Sequence, residues 1–168
     1  PMGDLAPFGD LMGRMVPNFI YMGTMAYKSR YAQDKLANRR MVLMFKVSAY
    51  SGLTTFFLKR VFNARRPHKG DRLSFPSGHT TTAFAFASTV ALEHPNWKYE
   101  AYLLATIVGL SRVNDNAHYL HDVAMGASIG TAYAYALYDK QDKSDDAGAF
   151  IFAPLSNGGH VLKYVTRF

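Results

Sequence analysis

What this chain can become is limited first by the length of its apolar runs. A helix that crosses a bilayer needs about 20 mostly apolar residues. Met41–Leu58 is interrupted by Lys46, Thr81–Leu92 and Ala101–Leu110 are shorter, and Val123–Leu137 is diluted by Ala, Gly, Ser and Thr. On this count no segment spans, and the runs are expected to pack as the buried helices of a bundle that stays soluble without detergent. Proline, glycine and charge separate them. Asn63–Pro76 reads as a loop around Arg65-Arg66-Pro67-His68-Lys69-Gly70-Asp71, and His94-Pro95-Asn96 as a turn. The pattern predicts helices at Met41–Val61, Gly78–Glu93, Tyr99–Arg112 and His118–Tyr138, preceded by an exposed, charged helix over Lys28–Arg40.

The two ends differ in character. Met2, Met12, Met15, Met22 and Met25 lie beside Phe8, Phe19 and Tyr21 near the start, with Pro7 and Pro17 as breakers. Such a segment reads either as short core helices with Met filling gaps, or as an adaptable apolar lip for a lipid tail. Past the polar stretch Asp139–Asp146, two apolar segments, Phe150–Leu155 and His160–Phe168, flank Ser156-Asn157-Gly158-Gly159, a hairpin cue. The expected fold class is all-α: a helical bundle over residues 1–146 with a small β-hairpin, 147–168, appended to the same domain.

With 168 residues, one domain with one core is the expectation. A formal net charge of +7 favours phosphates, nucleic acid or an anionic membrane surface as partners. The absence of cysteine excludes disulfides, thiolate catalysis and Cys-ligated zinc. No basic stretch followed by an apolar run and a small-residue cleavage site opens the sequence, so an export signal is expected to have been removed or never present.

Three short stretches carry the chemistry. Lys59 ends an apolar helix and Arg66-Pro67 follows in the loop. Pro76-Ser77-Gly78-His79 stands where the next helix begins, where unpaired N–H groups and the positive dipole end suit an anion. Ser77 is there as an anion ligand or simply as a helix cap, and Gly78 permits close backbone approach. In the third stretch, Ser111-Arg112 precedes His118 and Asp122. Four residues apart, His118 and Asp122 fit one helix face, where the carboxylate fixes one ring nitrogen and frees the other. The pair alone reads more readily as structural than as catalytic. His118 and His121 also share a face, but their spacing lacks the zinc-protease signature.

Lys59, six residues, Arg66-Pro67; then Pro76-Ser77-Gly78-His79; then Ser111-Arg112, five residues, His118, three residues, Asp122: this tripartite signature resembles the type-2 phosphatidic acid phosphatase superfamily, which includes class A acid phosphatases, lipid phosphatases and vanadium haloperoxidases. The resemblance implies a helical bundle and a metal-independent phosphatase working through a phosphohistidine. His118 would be the nucleophile, Asp122 its orienting partner and His79 the acid for the leaving oxygen. Lys59, Arg66, Ser77, Gly78 and Arg112 would bind the phosphoryl oxygens. It also implies a periplasmic or otherwise exported protein with no cofactor, vanadate acting as inhibitor. Expected partners are a phosphorylated small molecule or lipid, including pyrophosphates, with peripheral membrane contact and no nucleic acid. Two alternatives stand beside it: a vanadium-dependent haloperoxidase, with vanadate as cofactor, and a non-catalytic basic module that binds phosphate or nucleic acid.

Overall fold

A computed structural model of the chain describes residues 5–68, 71–146, 149–154 and 160–165, with side chains described for 7, 9–68 and 71–141. Six helices follow in order: α1 (Leu5–Gly13), α2 (Val16–Tyr31), α3 (Lys35–Phe62), α4 (Gly78–Glu93), α5 (Lys98–Asn114) and α6 (Leu120–Asp146), with a 3₁₀ turn at Pro95–Trp97. Two antiparallel strands, β1 (Ala149–Pro154) and β2 (His160–Val165), pair in register from Ala149 with Val165 to Pro154 with His160. The hairpin expected at the C-terminal end is therefore present. Its turn, Ser156–Gly159, lies outside the described residues, as do Met2, Lys69 and Gly70.

Helix boundaries follow local chemistry. Pro7 and Pro17 sit in the first turns of α1 and α2, where a missing N–H costs nothing. The charged stretch over residues 28–40 is not one helix as expected. Asp34 caps α3, its Oδ1 accepting from the Leu36 and Ala37 N–H groups at 2.9 and 3.2 Å, while Gln33 takes a left-handed φ of 52°. A strong N-cap inside a charged run ends one helix and starts the next. At the other end of α3, Asn63 closes the helix in the left-handed region, its N–H donating to the Lys59 carbonyl at 3.1 Å.

Helix α4 is the hub, packing on α3, α5, α6 and α1. Its core-facing residues are small: Ala83, Ala85, Ala87 and Ala91 are buried, together with Thr80, Thr81, Ser88 and Thr89. Hydroxyls link the helices through Thr55 to Thr81 at 3.0 Å, Tyr102 to Ser88 at 3.0 Å and Ser88 to Thr131 at 3.2 Å. Leu43, Met44, Val47 and Val108 are buried, but many other large apolar side chains point outward. Leu53, Phe56 and Phe57 of α3, Ile20 of α2 and Leu103 of α5 are exposed, Phe57 by 65%. Small residues and hydroxyls between helices, with Phe and Leu on the outer face, let the helix backbones approach closely.

Two sequence expectations are corrected here. Over its 28 residues α3 contains an 18-residue window with mean hydropathy 1.4, long and apolar enough to cross a membrane. That window is only 33% buried, so the run is buried on one face, where Leu43, Met44 and Val47 stand at 0%, and not throughout. Counting from Met41 and stopping at Lys46 understated it, because one lysine does not end a helix whose flanks continue apolar. About 28 residues at roughly 1.5 Å each exceed the roughly 30 Å hydrocarbon thickness.

α6 meets α4 at two glycines. A Cβ on Gly126 would lie 2.6 Å from the Ser77 carbonyl oxygen, and one on Gly130 would lie 2.5 Å from the Thr81 carbonyl oxygen and 2.6 Å from the Ala85 nitrogen. Backbone atoms cannot swing aside as a side-chain tip can. Alanine exceeds glycine in helix propensity by about 1 kcal/mol, so a slack contact would make Gly126→Ala stabilising. We expect the reverse, a loss of about 1–3 kcal/mol from overpacking, read as a lower melting temperature. An unchanged or raised melting temperature would contradict this packing.

Candidate active site

The four long helices bring their chemistry to one end of the bundle. α3 delivers Lys59 in its last turn, α4 begins at Gly78, α5 delivers Arg112 in its last turn, and α6 begins just past His118. The loop after α3 carries Arg66 across to His118. Three stretches far apart in the chain thus meet at one end of the bundle.

His118 is not on the helix as expected. It lies in the bend that precedes α6, with its N–H donating to the Arg112 carbonyl at 3.2 Å. Asp122 is in the first turn of α6 and accepts the Tyr119 N–H on Oδ2 at 2.9 Å. The pair meets nonetheless, with His118 Nδ1 3.5 Å from Asp122 Oδ2. The Ser74 hydroxyl braces both, donating to the same Oδ2 at 2.5 Å and standing 3.5 Å from Nδ1. With the carboxylate on Nδ1, the proton belongs there and the Nε2 lone pair is free. Arg66 NH1 donates toward that Nε2 at 3.3 Å.

Asp122 and Ser77 are fully buried at 0%, and His118 is 3% exposed. Removal from water, reinforced by Arg66 and Lys59 and opposed by Asp122, pushes the His118 imidazole down to about 4. The ring is therefore neutral, the form a nucleophile requires, across the ordinary pH range.

Each basic residue is held in place. Lys59 Nζ donates to the Leu73 carbonyl at 2.6 Å and the Ser74 carbonyl at 3.3 Å. Arg66 Nε is paired with Asp71 Oδ1 at 2.6 Å, and Arg112 NH2 with Asp115 Oδ2 at 2.9 Å. Ser77 is the N-cap of α4, accepting the Thr80 hydroxyl at 2.9 Å, and its own N–H donates to the Asp122 carbonyl at 2.9 Å. Around Gly78 there is room: a Cβ there would meet only Lys59 Cε at 3.8 Å and Thr55 Cγ2 at 3.9 Å. A cavity of about 380 Å³ opens at this point, lined among others by Arg14, Met15, Phe56, Lys59, Gly78 and His79.

All eight residues expected from the sequence lie at this end. The carboxylate Asp10 of α1 and the loop hydroxyl of Ser74 were not among them. Asp10 Oδ1 is 2.9 Å from His79 Nε2 and 3.5 Å from Arg112 NH1. His121, weighed as a metal ligand, has a side chain 68% exposed, sets Nε2 3.1 Å from Asp122 Oδ1 and stacks on Tyr119, ring centroids 5.3 Å apart. Among the described residues no cluster of His and carboxylates gathers to hold a metal ion.

The model of the PAP2 superfamily matches residues 6–146, which hold the entire pocket. The chain belongs to the PAP2 superfamily. A PAP2 relative, the lipid A 1-phosphatase of Porphyromonas gingivalis, is 40% identical over 76 residues, 43% of this chain and 17% of that protein. The lipid A 1-phosphatase of Rhizobium etli is 34% identical over 114 residues, 55% of this chain and 49% of that protein. The chain thus spans at most about half the length of these relatives. The crystal structure of Aquifex aeolicus LpxE superposes with a TM-score of 0.63 at 20% identity, covering 80% of this chain and 86% of that one. That likeness shows the shared PAP2 helical fold.

A buried neutral histidine has a linkage consequence. In the folded chain His118 binds its proton near pH 4, in the unfolded chain near about 6.5. The unfolded state binds more protons between these values, so stability contributed by neutral His118 is complete above about 6.5 and falls away as pH drops toward 4. We expect the His118 ring resonances of the ligand-free protein to titrate near 4 by NMR. A midpoint at or above 6.5 would refute the described burial.

Proposed function

We propose that this chain is a metal-independent phosphatase that removes the terminal phosphate of a lipid phosphate through a phosphohistidine on His118. The observation that carries the reading is the free Nε2 of His118, its Nδ1 tied to Asp122, facing Arg66 in a pocket that Lys59, Arg112 and the start of α4 make positive. Phosphoryl transfer demands positioning and charge stabilisation above all. Three fixed cations and a helix N-terminus supply to the equatorial oxygens the potential that a metal ion supplies elsewhere.

In the first step the Nε2 lone pair attacks phosphorus, and the bond to the leaving oxygen breaks as His79 gives that oxygen a proton. Asp122 stabilises the positive charge that grows on the His118 ring. In the second step water attacks the phosphohistidine. Neutral His79 takes the proton from that water, the P–N bond breaks, and phosphate leaves with His118 restored.

The lipid character of the substrate is supported by two facts. The relatives carry lipid A 1-phosphatase in their names. The exterior of α3, with Leu53, Phe56 and Phe57 exposed, is built for hydrocarbon, and Lys59 lies near the end of that apolar helix. A site there works at the bilayer surface, where phosphorylated headgroups are found, and the cavity lined by Lys59, Gly78 and His79 offers room for a leaving group beside its acid. The proposal requires no cofactor.

Two measurements test it. His118→Ala is expected to abolish turnover of every ester. His79→Ala is expected to cost roughly 10²–10⁴-fold on an alkyl or lipid phosphate, the usual worth of a general acid, and much less on a nitrophenyl phosphate, whose oxygen departs without a proton. Residual turnover in His118→Ala, or equal losses on both esters for His79→Ala, would show the roles wrongly assigned. Chelation with EDTA is expected to leave activity intact while vanadate inhibits competitively; activity lost to EDTA and restored by a divalent ion would overturn the metal-independent mechanism.

A further inference from the structure

α1 lies against the catalytic end more closely than a covering helix needs to. Gly9 is buried, and a Cβ there would stand 2.0 Å from Ser111 Oγ and 3.1 Å from Arg112 NH2. A Cβ on Gly13 would stand 2.7 Å from both Cβ and Cδ2 of His79 and 2.9 Å from Val108. These glycines, four residues apart on one face of α1, let its backbone press on α5 and on the His79 ring. Asp10 lies between them. Its Oδ1 meets His79 Nε2 at 2.9 Å, its Oδ2 meets Arg14 NH2 at 2.6 Å, and Arg112 NH1 is 3.5 Å away.

The contact fixes the orientation of the ring. Gly13 faces Cδ2 and Asp10 faces Nε2, so the Cδ2–Nε2 edge belongs to α1 and the Nδ1–Cε1 edge is turned away from it. His118 shows the mirrored arrangement, with Nδ1 held by Asp122 and Nε2 free. We propose that Asp10 is a positioning residue for His79: it holds Nε2–H, fixes the ring against α1, and leaves Nδ1–H for the leaving oxygen.

The charges around His79 make such a partner necessary. Arg112 of α5 and Arg14 of the turn after α1 face the ring, and Lys59 of α3 lines the same cavity. From α6, Asp122 offers its carbonyl to Ser77, but its carboxylate oxygen Oδ2 is taken by Ser74 and the Tyr119 N–H. Burial first, then Arg112, lowers the His79 proton affinity below the ordinary imidazole value, and Asp10 is the carboxylate that opposes them. Without it, a general acid in a cationic pocket gives up its proton to water before the substrate arrives. The balance through the cycle is simple. One proton moves from His79 to the leaving oxygen, one returns from the attacking water, and Asp10 remains a carboxylate throughout.

This inference rests on the phosphatase reading above and on the acid role of His79, so its test carries both variants. Asp10→Asn, Asp10→Glu and His79→Ala are compared on an alkyl phosphate and a nitrophenyl phosphate, with pH profiles of kcat and kcat/KM for the wild type and both Asp10 variants. We expect Asp10→Asn to lower kcat on the alkyl ester by about 10-fold or more, but by no more than the roughly 10²–10⁴-fold that a general acid is worth, with little loss on the nitrophenyl ester. The alkaline limb moves to lower pH, because removing the carboxylate lowers the proton affinity of His79 further and the acid form is lost sooner as pH rises. Asp10→Glu restores part of both. In the His79→Ala background, Asp10→Asn costs nothing more, a readout that a general loosening of α1 would not produce. If His79→Ala is itself insensitive to the leaving group, the phosphatase reading of His79 fails. If His79→Ala behaves as expected while Asp10→Asn leaves the alkaline limb unmoved, depresses both esters equally, or raises activity as removal of a plug would, the positioning role is overturned.

Discussion

The site depends on how closely α4 and α6 approach. Gly126 and Gly130 bring the backbone of α6 within van der Waals reach of the Ser77 and Thr81 carbonyls, and only hydrogen side chains fit there. That contact joins the start of α4 to the start of α6, and the Ser77 N–H to Asp122 carbonyl bond at 2.9 Å seals it. From it follow the position of Asp122, the setting of His118 beside it, and the direction of the α4 N-terminus. The small residues along α4 serve the same end, since Ala, Ser and Thr let four helices converge on one rim. A bundle packed by larger side chains would hold its helix ends farther apart and spread the pocket.

Convergence of so many cations needs compensation before any phosphate arrives. The pocket provides it by pairing: Asp71 with Arg66, Asp115 with Arg112, Asp122 with His118 and Asp10 with His79. Each carboxylate fixes a rotamer as well as a charge, so the donors need little reorganisation when an ester binds. Lys59 is the exception, anchored by the Leu73 and Ser74 carbonyls rather than by a carboxylate. The asymmetry matters chemically. The two histidines differ in which nitrogen their carboxylate meets, Nδ1 in His118 and Nε2 in His79.

Most of this pocket was legible in the sequence, because its residues fall in three short motifs whose spacing the chain preserves. What was not legible is tertiary. Ser74 is 44 residues from His118 and 48 from Asp122, in a loop without periodicity, and only the fold brings its hydroxyl between them. Asp10 is 69 residues from His79, and the local signal was the pair of glycines flanking it, which marks a close approach without saying to what. His118 and Asp122 fit helical spacing and do meet, yet His118 stands outside the helix, so their contact comes from the bend before α6 and not from one helix face. The apolar count failed at α3 because it treated Lys46 as an end rather than as one charge in a long helix. The charged stretch over 28–40 failed because composition outweighed the capping chemistry of Asp34.

The central claim is a covalent bond between His118 and phosphorus. It is tested most directly by mixing the protein with a labelled phosphate ester, quenching in base within one turnover, and mapping the label by mass spectrometry. The account predicts a phosphoryl group on His118 that survives alkali, is lost in acid, and disappears when unlabelled ester is chased through. Turnover at full rate with no phosphorylated His118 at any quench time, or a phosphoryl group on another residue, would contradict it.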